Sequence, residues 1–486
     1  MAPLPSHNFA GDETYSTYMV ILKIHGAAIR LFDQSLYKSM VKAPTYRVLC
    51  HDLEAARTDP NGQRESGSAA AGMQVFVLDA LKDKTSSGFM KQSLFGQKME
   101  STDLTMFMSQ KPKDSTERAS YAVDIGLCRY NTSMEDLSSE DCKKVGTAFI
   151  YLEPKFSTQG TQRMQIMDLK NRMAVGQMQV EYLIVTNPKG YTSSLDRPQW
   201  LSQVTQLDAG HRGAGSGCRS DLEGCPIIEN TIASFNFAAR NGADMVELDV
   251  MCTADGIPII YHNFSLESVN EQAQIDELTL DELHQLKHKT IHDKDCKHAR
   301  TNSVSIVDRS NQPFPTLQEV LENVDQNCAM NIELKFAQLL PSGKSEAAQY
   351  HEINDNVDRI LDCIFKHSNG RSILLSTFNA NVAIMLRLKQ AKLPVLFLTT
   401  GDSQRFNDPV TKSIQNAVHF AQAFDLAGIN PNVAKLNESL VNYARDRGLL
   451  VYAWGKIESS QSIRELKRYG LNGVIYDRID LIKPRD

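Results

Sequence analysis

Short apolar runs separated by polar and turn-forming residues dominate the first 186 residues. The clearest run alternates, with Met178, Val180, Tyr182 and Ile184 on one face. A period of two residues is typical of a β-strand with one buried face. Similar runs cover residues 18–24, 46–49, 75–78, 121–125 and 148–152. Many short strands with little helical periodicity between them predict an all-β sandwich domain, of a C2-like kind, over residues 1–186.

A calcium-dependent membrane role for this domain would require clustered acids. Asp79, Asp83 and Asp124 are scattered instead. We therefore expect a packing or interaction domain whose partner the sequence does not name.

The pattern changes over residues 187–204, where Asn187, Pro188 and Gly190 predict a linker. From 205 to 486, strand-like runs alternate with helical segments. One helix is predicted over 229–241, with Gly242 placed to end it. Nine strand runs are predicted, at 206–211, 245–250, 257–261, 330–334, 373–378, 395–398, 426–429, 449–453 and 474–476.

Repeated strand and helix over this length predicts an α/β fold, a TIM-type (β/α)8 barrel, and nine runs are one too many for it. Asp255-Gly256 is a tight-turn signal, so a hairpin between the second and third runs would explain the extra strand. A doubly wound sheet is the alternative. The barrel is favoured because the candidate site residues lie at strand ends dispersed along the sequence.

Residues 265–313 form a polar insertion between barrel elements, which we expect to act as a lid. Within it, His284, His288, His292 and Cys296 recur at intervals of four, a spacing that could bind zinc along one helical face. A solvated, lysine-rich helix face is the stronger interpretation, because no Cys-x-x-Cys pair accompanies them.

Composition narrows the class of protein. Lys and Arg number 52 against 58 Asp and Glu, a formal charge of −6 without a long cationic block, which argues against a nucleic-acid partner. No stretch is apolar for long enough to span a bilayer. The nine cysteines show no framework spacing, which predicts reduced thiols in a cytoplasmic protein. Cys218 and Cys225 bracket one loop and could pair if oxidised.

Acidic residues punctuate two of the apolar barrel strands. Glu247 and Asp249 are two apart, so both side chains point the same way, and Glu333 and Lys335 repeat the arrangement. Three carboxylates converging at the barrel mouth would repel one another unless a cation held them. Hard oxygen ligands favour Mg²⁺, with Ca²⁺ as the alternative. A solvated pair on an edge strand is the simpler interpretation of Glu-x-Asp, but the apolar flanks disfavour it.

Histidines stand at two further strand ends. His211 and His262 could be structural, or could act as general base and general acid beside a cation. Arg212 could hold phosphate oxygens, and Gly213 would let backbone N–H groups approach them. Within Glu229-Asn230-Thr231, Asn230 or Thr231 could cap a helix or contact a substrate, and the sequence favours the two roles about equally.

This series of motifs resembles the glycerophosphodiester phosphodiesterase family. The matching stretches are His211 to Gly213, Glu229 to Thr231, Gly242 to Val250, Thr253 to Asp255 and His262, and further blocks include Asn331 to Lys335, Trp454-Gly455 and Gly473 to Asp477. The resemblance covers about residues 205–480 and is closer to the eukaryotic glycerophosphocholine phosphodiesterases, which it also matches at Val145 to Ala148 and Gly176 to Tyr182.

The resemblance implies metal-assisted hydrolysis of a small soluble glycerophosphodiester, above all sn-glycero-3-phosphocholine, to glycerol 3-phosphate and choline. It assigns His211 and His262 as the acid/base pair. It assigns Glu247, Asp249 and Glu333 as metal ligands. Arg212, Lys335 and Glu229 would contact phosphate or metal, and Trp454 would face the substrate.

Two departures qualify these expectations. Asn263 follows the second histidine where the family usually has Asp, so we expect reduced or shifted activity. The close relatives carry an N-terminal starch-binding domain, and we expect the chain to start after it, so carbohydrate binding is not carried over. The rival hypotheses are a catalytically weak barrel that acts as a binding or regulatory protein, and a phosphoinositide-type phospholipase on a similar barrel.

Overall fold

The computed structural model describes residues 17–33, 44–54, 73–78, 89–93, 97–100, 102–112, 119–128, 142–153, 157–189, 206–219, 227–266, 273–290, 309–347, 352–402 and 405–484. Asp79, Asp83, Cys225, His292 and Cys296 lie outside these ranges, as does most of the predicted linker. Within the described residues, no helix is both long and apolar enough to cross a bilayer.

The N-terminal part is one antiparallel sheet, which confirms the predicted all-β domain. Its strands are β1 Thr17–His25, β2 Arg30–Leu31, β3 Tyr46–Asp52, β4 Gln74–Leu78, β5 Met90–Lys91, β6 Gln97–Met99, β7 Leu104–Pro112, β8 Ala119–Cys128, β9 Cys142–Leu152, β10 Gln159–Asp168 and β11 Met173–Thr186.

This sheet curls so that distant strands meet face to face. Val20 of β1 and Val48 of β3 share one apolar core although several strands separate them in the sheet. The Ser109 hydroxyl on β7 lies 2.8 Å from the Tyr121 hydroxyl on β8, and Lys111 of β7 pairs with Asp52 of β3. Both contacts join strands that are not neighbours in the sheet. One continuous sheet therefore supplies both layers of the sandwich.

The C-terminal part is a closed parallel barrel. Its strands are β12 Leu207–Gly210, β15 Met245–Cys252, β17 Ala329–Leu334, β18 Ile373–Thr377, β19 Val395–Thr399, β20 Gly428–Pro431, β21 Leu450–Trp454 and β22 Gly473–Tyr476. Each pairs in parallel with the next, and β12 pairs with both β22 and β15, which closes the ring. The predicted TIM-type barrel is confirmed.

The extra strand, predicted over residues 257–261, is the outer arm of a hairpin. Strand β16, Pro258–Ile260, pairs antiparallel with the end of β15. Gly256 has a φ of +77° in the intervening turn, a conformation that L side chains rarely adopt. The Asp255-Gly256 turn thus accounts for the extra strand, as the sequence indicated. A separate small hairpin joins β13 Cys218–Arg219 to β14 Ile227–Ile228.

Helices surround the barrel. They are α1 Ile232–Arg240, α2 Leu280–Thr290, α3 Leu317–Asn323, α4 Ile353–His367, α5 Ala380–Lys389, α6 Ile414–Ala423, α7 Glu438–Arg445, α8 Ser460–Arg468 and α9 Ile479–Ile482. Short 3-10 turns cover Gly26–Ala28, Ile275–Glu277, Arg309–Asn311, Pro409–Thr411 and Val433–Lys435. The amphipathic pattern of α1 buries Phe235 and Ala238 against β15, and Gly242 follows its end with a φ of +87°.

The sheet and the barrel share a core. Met19 and Ile21 of β1, and Leu183 of β11, are fully buried in the apolar cluster that contains the barrel helices. Polar contacts border this cluster: the Lys23 ammonium donates to the Asn381 side-chain oxygen at 2.7 Å, and the Asn354 amide donates to the Ile184 carbonyl at 2.9 Å. Strand β1 is consequently buried on both faces, by its own sheet and by α4 and α5.

The cysteines depart in one place from the expectation of reduced thiols. Cys128 and Cys142 are joined by a disulfide, because they lie directly opposite each other where β8 pairs with β9. They lie 14 positions apart in the sequence, and this spacing gives no sign of the pairing. Cys50, Cys252, Cys328 and Cys363 are free. The predicted pairing of Cys218 with Cys225 lies outside the described residues.

The first half of the insertion packs on the barrel rim. Ile275 and Leu283 are buried with Met251 and Phe314 in a small apolar cluster. Helix α2 carries His284 and His288, and the other two residues of the proposed zinc spacing lie outside the described part of the chain. The lid and the zinc site stay predictions.

Candidate active site

Alternation along the barrel strands turns the polar residues inward. On β15, Val246, Leu248 and Val250 pack outward against the helices, so Glu247 and Asp249 face the barrel interior. Glu333 of β17 lies beside Asp249 in the parallel register. Only 5%, 1% and 8% of the surfaces of Glu247, Asp249 and Glu333 are exposed, which excludes the solvated edge-strand interpretation.

Each of these three acids offers a carboxylate oxygen within 4.8 Å of the other two. Burial and repulsion from Asp249 raise the pKa of Glu247 to about 8. Burial also acts to raise the pKa of Asp249, but Lys335, His262 and Arg212 outweigh it, and that pKa falls to about 2. This acidic trio, Glu247, Asp249 and Glu333, could hold a divalent cation, because hard carboxylate oxygens fit one.

The cationic side chains next to the trio already pair with carboxylates. The Lys335 ammonium lies 3.0 Å from Glu333 and 3.6 Å from Asp249. The Arg212 guanidinium donates to both oxygens of Glu229, at 3.0 and 3.1 Å. Within the described part of the chain, the one ion-pair partner of Glu247 is His211, at 4.0 Å. Two cations, Arg212 and Lys335, therefore face four carboxylates, and this excess of acids favours a bound cation.

A tight turn after β12 brings Arg212 into the site. Arg212 has a φ of 49°, and its backbone N–H donates to Glu247 at 2.9 Å. Gly213 follows with a φ of +84°, and a Cβ there would lie 2.5 Å from the Ser234 hydroxyl. This position requires glycine. The Arg212 Nε is buried without a hydrogen-bond acceptor and lies 3.7 Å from Asp249.

Two residues of the Glu229-Asn230-Thr231 motif take different roles: Thr231 caps a helix and Asn230 contacts the acidic trio. Thr231 caps α1 by accepting from the Ser234 N–H at 3.2 Å. Asn230 lies before the helix with a φ of 56°, and its amide donates to Asp249 at 2.9 Å. The helix predicted over 229–241 thus begins three residues late, at Ile232, because Glu229 and Asn230 are drawn into the site.

Asp477 orients His211. Nδ1 of His211 donates to Asp477 Oδ1 at 2.9 Å, and the Ser216 N–H donates to the same oxygen at 2.9 Å. Burial, the largest influence, lowers the pKa of His211, but the hydrogen bond to Asp477 and the charge of Glu247 outweigh it, so the pKa is raised. The geometry favours a protonated imidazole whose Nε2 lies on the side of Glu247.

His262 has a different environment after β16. Its Nδ1 donates to the Asn263 side-chain oxygen at 2.7 Å, and the preceding residue, Tyr261, donates its N–H to the Asp249 carbonyl at 3.0 Å. Burial is the largest influence on His262 and lowers its pKa, Lys335 and Arg212 also lower it, and despite the opposing charge of Asp249 the pKa falls to about 4. The hydrogen bond to the Asn263 amide orients this imidazole and acts to raise its pKa, but it is the smallest of these influences.

The structure thus brings most of the predicted site residues together. Trp454 ends β21 and packs edge-on against Phe378, with ring centroids 5.4 Å apart. Sequence reasoning did not assign Asp477 a place in the site, and it left Asn230 between a helix cap and a substrate contact. Asp477 could have been found from its position directly after β22, since polar residues at the carboxyl ends of barrel strands are candidates for function.

Comparison with known proteins agrees with this geometry. Residues 211–481 match the model of the glycerophosphoryl diester phosphodiesterase family. The chain is 34% identical over 348 residues to a glycerophosphocholine phosphodiesterase, GPCPD1, of Rattus norvegicus, covering 66% of this chain and 51% of that protein. It is 29% identical over 315 residues to glycerophosphocholine phosphodiesterase gde1 of Schizosaccharomyces pombe, covering 56% of this chain and 28% of that protein.

Among solved structures, an Oleispira antarctica phosphodiesterase in complex with sn-glycerol-3-phosphate is 21% identical, with a TM-score of 0.42 over 58% of this chain and 96% of that one. The chain spans about half the length of the GPCPD1 relative. The family model, however, matches more than half of this chain and includes every residue of the acidic trio. The chain belongs to the glycerophosphoryl diester phosphodiesterase family.

Proposed function

We propose that this protein hydrolyses glycerophosphodiesters with the help of a divalent cation, and that its main substrate is glycerophosphocholine, cleaved to glycerol 3-phosphate and choline. The observation that carries the proposal is the buried acidic trio flanked by two differently oriented histidines at the barrel mouth. Two relatives are named as glycerophosphocholine phosphodiesterases, which supports choline as the headgroup of the substrate.

Phosphate binding falls to Arg212 and Lys335. The Arg212 Nε already lacks an acceptor, and a phosphate oxygen would supply one. Lys335 lies between Glu333 and Asp249, so its ammonium can reach an anion that enters beside the trio. Glu229 holds the Arg212 guanidinium in place rather than joining the trio.

The acidic trio would hold the cation, and we expect Mg²⁺, with Ca²⁺ as the alternative, because all three donors are carboxylates. The bound ion would neutralise charge that develops on the phosphate oxygens.

The two histidines divide the proton transfers. His262, neutral at pH 7, accepts the proton of the glycerol hydroxyl next to the phosphate as that oxygen attacks phosphorus. His211, whose charged form Asp477 stabilises, donates its proton to the departing headgroup oxygen as the bond from phosphorus to that oxygen breaks. Water then opens the cyclic phosphate with the proton transfers reversed, which restores both histidines.

Choline release tests the proposal directly. Purified protein is incubated with glycerophosphocholine and Mg²⁺, and free choline is measured by a coupled colour reaction. We expect release that a chelator abolishes and that His211→Ala lowers by about 10²- to 10⁴-fold. Glu322→Gln is the control, because it removes an exposed carboxylate near the C-terminus of α3, at the opposite end of the barrel. No release from any glycerophosphodiester would favour a barrel that only binds.

Location and partners stay predictions. The expected cytoplasmic compartment rested on reduced cysteines, and the Cys128–Cys142 disulfide weighs against it. Fractionation of cells that express the protein, with thiol labelling of each fraction, would decide the compartment.

A further inference from the structure

The guanidinium group of Arg405 lines a cavity beside Glu333 and Lys335. Its lining includes Phe378, Phe406 and Glu346, and the space between them, part of which is open to solvent, is about 290 Å³. The Arg405 guanidinium lies over both rings, with its carbon 5.6 Å from the centre of Phe378 and 5.1 Å from that of Phe406. Aromatic faces attract cations, so this arrangement is a binding site for positive charge.

The ring pair is fixed in place. Trp454 packs perpendicular to Phe378 at 5.4 Å, and the centres of Phe378 and Phe406 are 6.0 Å apart. Phe406 is 2% exposed. The rings therefore form a rigid wall that does not depend on Arg405.

Glu346 places a carboxylate on the same cavity. The Glu346 N–H donates to the Gln338 carbonyl at 2.9 Å, and the Gln338 N–H donates back to the Glu346 carboxylate at 3.2 Å. Only 17% of the Glu346 side chain is exposed. A half-buried carboxylate beside two rings completes a site for a cation.

Arg405 is held loosely there. Its nearest approach to Glu346 is 3.9 Å, at the limit of an ion pair, and 48% of its side chain is exposed. Exposed ion pairs and exposed cation–π contacts are both weak. A competing cation that loses its water inside the cavity would gain more from the rings than Arg405 does.

We propose that this cavity is the pocket for the cationic headgroup of the substrate, and that Arg405 occupies it until the substrate's ammonium group displaces it. The inference rests on the proposed function, because the cavity includes Glu333 of the acidic trio and so lies next to the phosphate position. Arg405 then acts as a built-in competitor that lowers apparent affinity for choline esters, while Glu346 and Phe378 select for them.

The test compares two glycerophosphodiesters, glycerophosphocholine with a cationic headgroup and glycerophosphoglycerol with an uncharged one. Arg405→Gln should lower KM for the choline ester by about threefold to tenfold and raise the ratio of kcat/KM between the two substrates. Glu346→Gln and Phe378→Leu should lower that ratio by about tenfold. Glu322→Gln, at the far end of the barrel, should leave the ratio as in the wild type.

Tetramethylammonium is a probe of the cation pocket alone, because it carries the cationic group without the phosphodiester. It should inhibit competitively, and Arg405→Gln should bind it about threefold more tightly. A higher KM for the choline ester in Arg405→Gln would show that Arg405 binds substrate, and would overturn the proposal. Equal effects of Glu346→Gln on both substrates would overturn it as well. If the wild type hydrolyses neither diester, the proposed function itself fails.

Discussion

His211 and Asp477 lie 266 positions apart in sequence, yet Nδ1 of the histidine donates to a carboxylate oxygen of the aspartate at 2.9 Å. The contact forms because β12 and β22 are neighbours where the barrel closes, which places the residues after each strand side by side. His262 has only an amide in the equivalent place, Asn263. The two imidazoles are therefore unequal, and the acid and base roles proposed for them rest on this inequality.

Replacing Asp477 by Asn should impair the acid. Without the carboxylate the pKa of His211 falls, so the protonated form is lost at a lower pH. We expect kcat to fall by about 10- to 100-fold and the basic limb of its pH profile to move to lower pH. The profile of choline release between pH 5 and 9 measures both. A smaller kcat with an unmoved basic limb would mean that Asp477 serves structure alone.

Replacing Asn263 by Asp should shift the acidic limb of the pH profile of choline release. A carboxylate beside Nδ1 raises the pKa of His262 above its present value of about 4. His262 must be neutral to accept a proton, so the acidic limb of the pH profile should move to higher pH. The same assay tests this expectation. An unchanged profile would remove the argument that Asn263 tunes this histidine.

Removal of the cation should lower stability as well as activity. The buried carboxylates of the trio repel one another, and a bound ion relieves that repulsion. At 100 times its Kd, an ion that binds only the folded state stabilises it by about 2.7 kcal/mol. Melting in Mg²⁺ should therefore occur at a higher temperature than in a chelator. Glu247→Gln should shrink that difference, and an equal difference in this variant would place the ion elsewhere.

The contact between sheet and barrel should matter for folding. Leu183 is fully buried between the two, and Leu183→Ala should lower the free energy of unfolding by about 2–5 kcal/mol. Leu169 lies in the turn between β10 and β11 and is 56% exposed, so Leu169→Ala should change that free energy by less than about 0.5 kcal/mol. Denaturant titration followed by fluorescence and circular dichroism gives both values. Equal effects of the two substitutions would argue against a shared core.

Local patterns were sufficient for much of the fold. Alternation in residues 178–184 predicts strand β11, and the Asp255-Gly256 turn explains the extra barrel strand. Alternation could not reveal that Leu183 and Val185, on the opposite face of β11, are also buried. Their cover comes from barrel helices about 200 residues away, and no local pattern encodes that contact.

The disulfide and the late start of α1 have the same cause. Cys128 meets Cys142 only because β8 and β9 pair in one register, and a shift of one residue would separate them. Asn230 fits a helix start by local preference, yet its amide binds Asp249 on a neighbouring strand. In both cases a tertiary contact prevails over the local signal.

By itself the sequence determined the chemistry available to this protein: which acids, histidines and cations stand at strand ends, and which family they resemble. Residue type and spacing are enough for that, because strand period fixes which side chains share a face. Only the tertiary structure decided how the charges balance, which histidine receives a carboxylate, and that Arg405 lies in the aromatic cavity. Those properties depend on distances between strands and loops far apart in the chain, and closure of the barrel sets these distances.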